Sequence, residues 1–423
     1  MKGNIFVECS INVFKFQSRG RNEESMELRP GNPEEVGMST QRVRYIVDLA
    51  KGWVDQGFMP ALAVLVARRG VIVIHEAFGC LTPDHDSPPL KLDTIFPMAS
   101  IAKPITATAA MILVEDGLLG LNRPVSWYIP EFVGEGKEAV MVHHLLTHTS
   151  GLRDEDVGAH AEKKKGSVEI PTPDETQHPL INEYLFLRWD APLWKYPGVE
   201  MSYCNYNYEL VGEIVRRVSG NSLDDFTRER IFKPLGMNDT FYVIPDSICQ
   251  RIVQRPADGP FADHDSQELR DTPWGSSGVF STAMDMAIFC QMFLNRGTYR
   301  GVRILNPASV DVMTRNQIPG IGAHWKGGVF PEASWGLGWN ICGNKKSLGY
   351  AEILQSPKAF SHGGSGGVFL WIDPIYEILG IYLSVASKGG IATLEGFEES
   401  FHIDLMRRVD LLINTVTATI IDL

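Results

Sequence analysis

The sequence predicts an α+β fold in several layers: a central antiparallel β-sheet flanked by N- and C-terminal helices, with a mostly helical domain inserted into the middle of the chain. Three observations carry this. A pair of β-rich runs joined by a short turn lies near each end of the chain, an amphipathic helical pattern stands outside each pair, and the long stretch between the pairs is dominated by apolar residues at 3- and 4-spacing. At roughly 100 to 200 residues per domain, 423 residues make two intertwined domains.

In chain order, residues 1–28 read as a loosely ordered leader. Glu8, Asn12 and Lys15 break its weak apolar segment, and it has no small-residue cleavage site of a secretion signal. From 39 to 56, Val43, Ile46, Val47, Ala50, Trp53 and Val54 recur at helical spacing behind Ser39 or Thr40 as N-cap. Runs 61–67 and 71–77, separated by Arg68-Arg69-Gly70, form the first hairpin, and runs 368–372 and 378–385 around Asp373-Pro374 form the second. A helical pattern over 394–412 closes the chain. In the middle, 101–115, 210–218 and 283–294 are helical, stopped by Gly117, Gly220 and Gly297. The segment 153–178 turns charged and Pro-rich, with Lys163-Lys164-Lys165, and reads as a solvated loop or, alternatively, an active-site lid. The sheet domain is thus expected from 29–98 and 285–423 and the helical domain from 99–284.

Composition narrows the partners. Apolar residues at 44% and charged residues at 21% supply a sizeable core, and a formal charge of -12 repels nucleic acid and anionic membrane surfaces. Arg68 and Arg69 interrupt the best apolar stretch, so no membrane span is expected. The six cysteines form no C-x-x-C pair and fit free thiols in a reducing compartment, so the expected location is cytoplasmic.

The sharpest chemical pattern is Ser100-Ile101-Ala102-Lys103 at the start of a helix. Three residues apart on a helix means one face. A serine hydroxyl needs a positioned base, and an amine one turn on serves if its surroundings lower its pKa. Pro104 suits a helix start, where its missing N–H costs nothing, and the Ser100 N–H at the positive helix end can face a developing oxyanion. Alone, the pattern is common in long chains and is more often an ordinary N-cap. Two further elements change the weighting. Tyr203 and Asn205 alternate on an extended segment before a helix, where both can face one cleft. Far downstream, Phe360-Ser361-His362-Gly363-Gly364-Ser365-Gly366 opens a strand whose glycines allow close backbone approach.

Together these resemble the S-x-x-K, Y-x-N and K-T-G or H-x-G motifs of the serine β-lactamase and penicillin-binding-protein superfamily. The resemblance runs from about Pro33 to the final helix. It includes Leu145-Leu146-Thr147-His148-Thr149-Ser150-Gly151-Leu152, which looks like the signature of the branch holding class C β-lactamases, family VIII carboxylesterases, D-aminopeptidases and DD-peptidases. Pro234-Leu235-Gly236-Met237, Ser281-Thr282-Ala283-Met284-Asp285 and Trp335-Gly336-Leu337-Gly338-Trp339 fit the same branch. The resemblance implies the β-lactamase/transpeptidase-like fold, with the active site in the cleft between the two domains, and a serine hydrolase that needs no cofactor. It makes Ser100 the acylated nucleophile, Lys103 its proton acceptor and Tyr203 the proton shuttle. Asn205 orients Lys103 or the substrate, His362 is a neutral or weakly charged donor in the third motif, and the Gly364–Ser365 strand end supplies an oxyanion-hole N–H beside that of Ser100. Because His362 stands where a true class C enzyme is expected to carry lysine, the implied substrate is a small ester, with D-amino-acid peptidase or amidase, weak β-lactamase and a silent binding or sensor protein as alternatives.

Three rivals remain to be weighed. Gly363-Gly364-Ser365-Gly366-Gly367 satisfies the G-x-S-x-G string, but a nucleophile elbow needs a following helix and 368–372 is strand-like. His144 and His148 have helical zinc spacing, but Leu145 stands where H-E-x-x-H has glutamate, so structural histidines are expected and no metal. Cys204 has no base assigned by spacing and reads as a buried thiol.

Overall fold

The structure, a computed structural model, describes residues 26–325, 328–344, 353–386 and 400–422. The leader reading for residues 1–25 and the helical pattern over 394–399 lie outside the described residues. Among the described residues one sheet has seven strands: β1 (Arg29–Pro30), β2 (Ala61–Arg68), β3 (Val71–Gly79), β4 (Asn340–Ile341), β5 (Phe360–Gly364), β6 (Val368–Asp373) and β7 (Ile378–Ser384). Their spatial order is β1-β3-β2-β7-β6-β5-β4. The two predicted hairpins, β2–β3 and β6–β7, meet at the centre, where β7 pairs β2 from Ile378 opposite Arg68 to Ser384 opposite Leu62. Neighbours are antiparallel except β1, which lies parallel to β3. This exception to the antiparallel expectation is a two-residue edge strand, and an edge is where Pro30, lacking an N–H, is tolerated.

Strand β2 shows why the sheet carries helices on both sides. All its residues are buried, so it reads as a continuous apolar run rather than an alternating one. Leu62, Val64 and Val66 join Trp371 and Tyr382 beneath α1 (Thr40–Asp55), which contributes Val43, Ile46, Ala50 and Trp53. The closing helix, Ser400–Thr417, adds Val409, Leu412, Ile413 and Val416 to the same layer. The opposite face presents Ala63, Leu65, Leu370 and Ile381 to the helical layer. That layer contains α2 (Ala102–Glu115), α3 (Asp154–Lys164), α4 (Asn205–Ser219) and α5 (Ala283–Leu294), and the closing helix is α6. Helix α5 lies directly on the sheet and is buried nearly all round, with the Thr282 hydroxyl accepting from the Asp285 N–H to cap it. Helix α2 is also buried along almost its whole length and packs against α4.

The segment 153–178 departs from the loop expectation, because its first part is helix α3. Asp154, Glu155 and Asp156 stand in its first turn and Lys163 and Lys164 in its last, the arrangement that a helix dipole favours. The lysines balance a helix end rather than mark a loop. Among the described residues no helix is long and apolar enough to cross a membrane.

Candidate active site

Helix α2 is entered through a 3-10 turn, Ala99–Ile101, that carries Ser100. Ala99 has φ +46°, a left-handed conformation that costs a residue with a Cβ roughly 1 kcal/mol or more. Strand β5 ends against this turn. A Cβ on Gly364 would lie 2.4 Å from the Met98 carbonyl oxygen and 3.2 Å from the Ala99 Cβ, so only glycine lets the strand end approach the nucleophile turn so closely.

One turn into the helix, Lys103 is fully buried. Its Nζ lies 2.9 Å from Ser100 Oγ, 2.8 Å from Asn205 Oδ1 and 3.0 Å from the Ser276 carbonyl oxygen. Burial pulls the amine down to about 7, against the opposing pull of the Asp154 and Glu209 carboxylates. A neutral amine has two hydrogens and one lone pair. The Asn205 and Ser276 oxygens can only accept, so they take both hydrogens and leave the lone pair for the Ser100 hydroxyl. The Ser276 carbonyl is itself aimed: Glu209, one turn after Asn205 on α4, accepts from the Gly275 N–H at 2.9 Å and the Ser276 N–H at 3.0 Å.

Tyr203 stands between the short strand Met201–Ser202 and α4, with Lys103 Nζ 4.8 Å from its ring centroid. Its ring packs at 4.4 Å on that of His148 and edge-on at 5.9 Å to Trp335. His148 is buried at φ +57°, and its Nδ1 accepts from the Cys204 N–H at 3.1 Å. Burial and the nearby Lys103 keep its ring neutral. His144 Nδ1 instead accepts from the Met141 N–H at 3.1 Å. The two histidines therefore buttress different backbone segments, one of them beneath Tyr203. The Cys204 thiol donates to Asp154 Oδ1 at 3.2 Å, and burial pushes it well above the usual thiol range, which removes it as a thiolate nucleophile.

The third motif corrects one expectation. His362 is buried in β5, with Nδ1 2.8 Å from the Gly363 carbonyl oxygen. A carbonyl only accepts, so Nδ1 carries the hydrogen. Burial, helped by Lys103, pulls the ring down to about 3, so the imidazole is neutral and Nε2 is an acceptor rather than the expected donor. That nitrogen has no partner among the described residues. Ser365 follows in the turn to β6, its Oγ at a long 3.4 Å from His264 Nε2. Strand β6, not a helix, comes next, so the elbow geometry is absent.

The structure thus brings Ser100, Lys103 and Asn205 into hydrogen-bond contact, sets the Tyr203 ring beside Lys103 and seats Gly364 against the nucleophile turn. Sequence reasoning missed Asp154, Glu209 and Ser276, and gave Trp335 no role beyond its place in a family-like stretch. Glu209 had a signal, the four-residue spacing from Asn205 that puts both on one helix face. Ser276 acts through a backbone carbonyl and left none.

Comparison with known proteins agrees with this architecture. The Beta-lactamase family model matches residues 46–392. A relative in Escherichia coli (strain K12), provisionally named a D-alanyl-D-alanine carboxypeptidase, is 25% identical over 414 residues, covering 90% of this chain and 88% of that protein. Among solved structures, a family VIII carboxylesterase superposes with a TM-score of 0.68 at 20% identity, covering 90% of this chain and 99% of that one. A penicillin-binding protein homolog from Caulobacter crescentus gives 0.67 at 23% identity, covering 88% and 99%. These two likenesses speak for the fold alone. With most of its length matched by the family model, and with an S-x-x-K serine and lysine in contact, the chain belongs to the beta-lactamase family of serine hydrolases.

Proposed function

We propose that the protein is a carboxylesterase that hydrolyses small acyl esters through an acyl-Ser100 intermediate. In this reading the Lys103 lone pair takes the Ser100 proton as Oγ attacks the ester carbonyl carbon. Backbone N–H groups of Ser100 and Ser365 receive the oxyanion. Collapse of the tetrahedral intermediate breaks the bond to the alcohol, whose alkoxide takes a proton through Tyr203. Water then attacks the acyl-enzyme carbonyl and gives up a proton to the same groups, which pass it to Ser100 Oγ as the acyl–oxygen bond breaks and the acid leaves.

The observation that carries the ester reading is His362. A buried, neutral imidazole supplies no positive charge at this position, whereas the carboxylate of a penicillin or cephalosporin needs a fixed cation. The Tyr203 and Trp335 rings beside it favour an uncharged, apolar group. A second reading, D-amino-acid peptidase or amidase, draws on the name of the Escherichia coli relative.

The test is a side-by-side panel of p-nitrophenyl esters, nitrocefin and D-alanyl amides with wild type and Ser100→Ala. Short-chain esters are expected to be turned over far better than nitrocefin, with all turnover lost in Ser100→Ala and its fold intact. Nitrocefin hydrolysed as efficiently as short esters would replace the reading with a β-lactamase, and D-alanyl amides as best substrates would replace it with the peptidase.

A further inference from the structure

We infer that Asp154, the first residue of α3, is a positioning residue that fixes the Asn205 amide so that its oxygen, and not its nitrogen, faces Lys103. The inference rests on the acyl-Ser100 reading above. Asp154 Oδ2 accepts from the Asn205 backbone N–H at 2.9 Å and from the Asn205 side-chain Nδ2 at 2.8 Å. Its Oδ1 accepts from the Tyr206 N–H and the Cys204 thiol, each at 3.2 Å. An ionised carboxylate has no hydrogen to give, so of the two ends of the Asn205 amide only the NH₂ can face it. The oxygen is thereby turned to Lys103, where it takes one amine hydrogen at 2.8 Å.

Turning the amide over would have two consequences. Its oxygen would meet the Asp154 carboxylate, acceptor against acceptor. Its NH₂ would donate to the Lys103 lone pair, and that is the pair which must receive the Ser100 proton. Asp154 therefore decides, through Asn205, whether the amine is free to act as a base. It also satisfies the Asn205 and Tyr206 N–H groups at the start of α4, so a purely structural role has to be separated from the positioning role.

Rescue by exchanging the two side chains separates them, and the pH dependence of acylation shows whether the Asp154 charge reaches the amine. Among the described residues, the carboxylates acting on Lys103 are Asp154 and Glu209. Cys204 and Tyr208 are held neutral by burial, as are His148 and His362, and the Tyr203 ring packs beside the amine. Removing the Asp154 charge frees the amine to lose its proton at lower pH, and a loss of packing alone would not move the limb in that direction.

The experiment measures the rate of fluorophosphonate labelling at Ser100 against pH, together with the thermal midpoint, in the full chain. Asp154→Asn is expected to label at least about tenfold slower, with its acid limb at lower pH. The exchanged pair Asp154→Asn/Asn205→Asp restores complementarity, because the carboxylate now at 205 accepts from Lys103 and from the amide now at 154. It is expected to label at least about tenfold faster than Asp154→Asn, with its limb at or above that of wild type. Asp154→Asn labelling at the wild-type rate, an unmoved limb, or an exchanged pair no faster than the single variant overturns the inference while the acyl-Ser100 reading stands. Wild type labelled at a residue other than Ser100 overturns both. If Asp154→Asn does not fold, the exchanged pair is read against wild type: labelling within about tenfold supports the inference. Loss of labelling in a folded exchanged pair, or its failure to fold, makes Asp154 a structural anchor only.

Discussion

Lys103 has its whole side chain out of water, and the consequences at the scale of a single residue can be worked out with signs. As a base it must be neutral, and its amine is held at about 7. The rate of Ser100 acylation should therefore fall about tenfold per pH unit below that value, which a labelling-rate profile would check. The same residue weighs against the fold. Its folded value lies below the ordinary 10.5, so between about 7 and 10.5 the unfolded chain binds the extra proton. The stability lost by burying it is fully present below about 7, shrinks as pH rises and is gone above the unfolded value. Lys103→Met should accordingly be inactive yet more stable than wild type near neutral pH, by on the order of a few kcal/mol. Urea midpoints at about pH 7 and about pH 10 would test this, since a gap that does not narrow with pH would contradict it. Ser100, Lys103, Tyr203 and Asn205 were legible in the sequence because each acts through a side chain at a fixed motif spacing. Asp154 was not, because its neighbours Glu155 and Asp156 made it look like one more surface charge.

At the scale of elements, both hairpins and the helices over α1, α2 and α5 were legible, because period-2 and period-3.6 patterns survive without knowledge of partners. Three features were not. The α3 helix was hidden by its charge, since only two of its residues, Val157 and Ala161, are buried and most of its pattern faces water. Strand β1 has too few residues to show a period. The close pairing of Trp371 with Gly380 needed the register, in which the two stand opposite each other on β6 and β7. A Cβ on Gly380 would come within 2.0 Å of the indole ring. Gly380→Ala should therefore force the buried Trp371 out of place and destabilise the protein by about 2 to 4 kcal/mol, read as a lowered urea midpoint. Gly380→Ala with an unchanged midpoint would mean that the hairpin absorbs the clash.

At the scale of the whole molecule, one buried side chain ties distant parts of the chain together. The Arg68 guanidinium, at the end of β2, donates to the carbonyls of Val36 at 2.6 Å, Tyr376 at 3.0 Å and Asp422 at 3.0 Å, and pairs with the Asp422 carboxylate. It thus joins the entry to α1, the β6–β7 turn and the residues after α6. Arg68→Ala leaves those carbonyls without their donor and should cost about 2 to 4 kcal/mol in denaturant titration, with Ser100 labelling of the folded fraction retained, since no bond of Arg68 reaches the site. Ser100, Asn205, Ser276 and His362 likewise come from far-apart stretches of sequence, and only the folded chain assembles them. In an unfolded chain Lys103 returns to water and to its ordinary 10.5, protonated at neutral pH, and Ser100 becomes one hydroxyl among many. The burst of product released on covalent capture is then a head count of native molecules, independent of total protein, so each preparation carries its own internal standard for the fraction that is correctly folded.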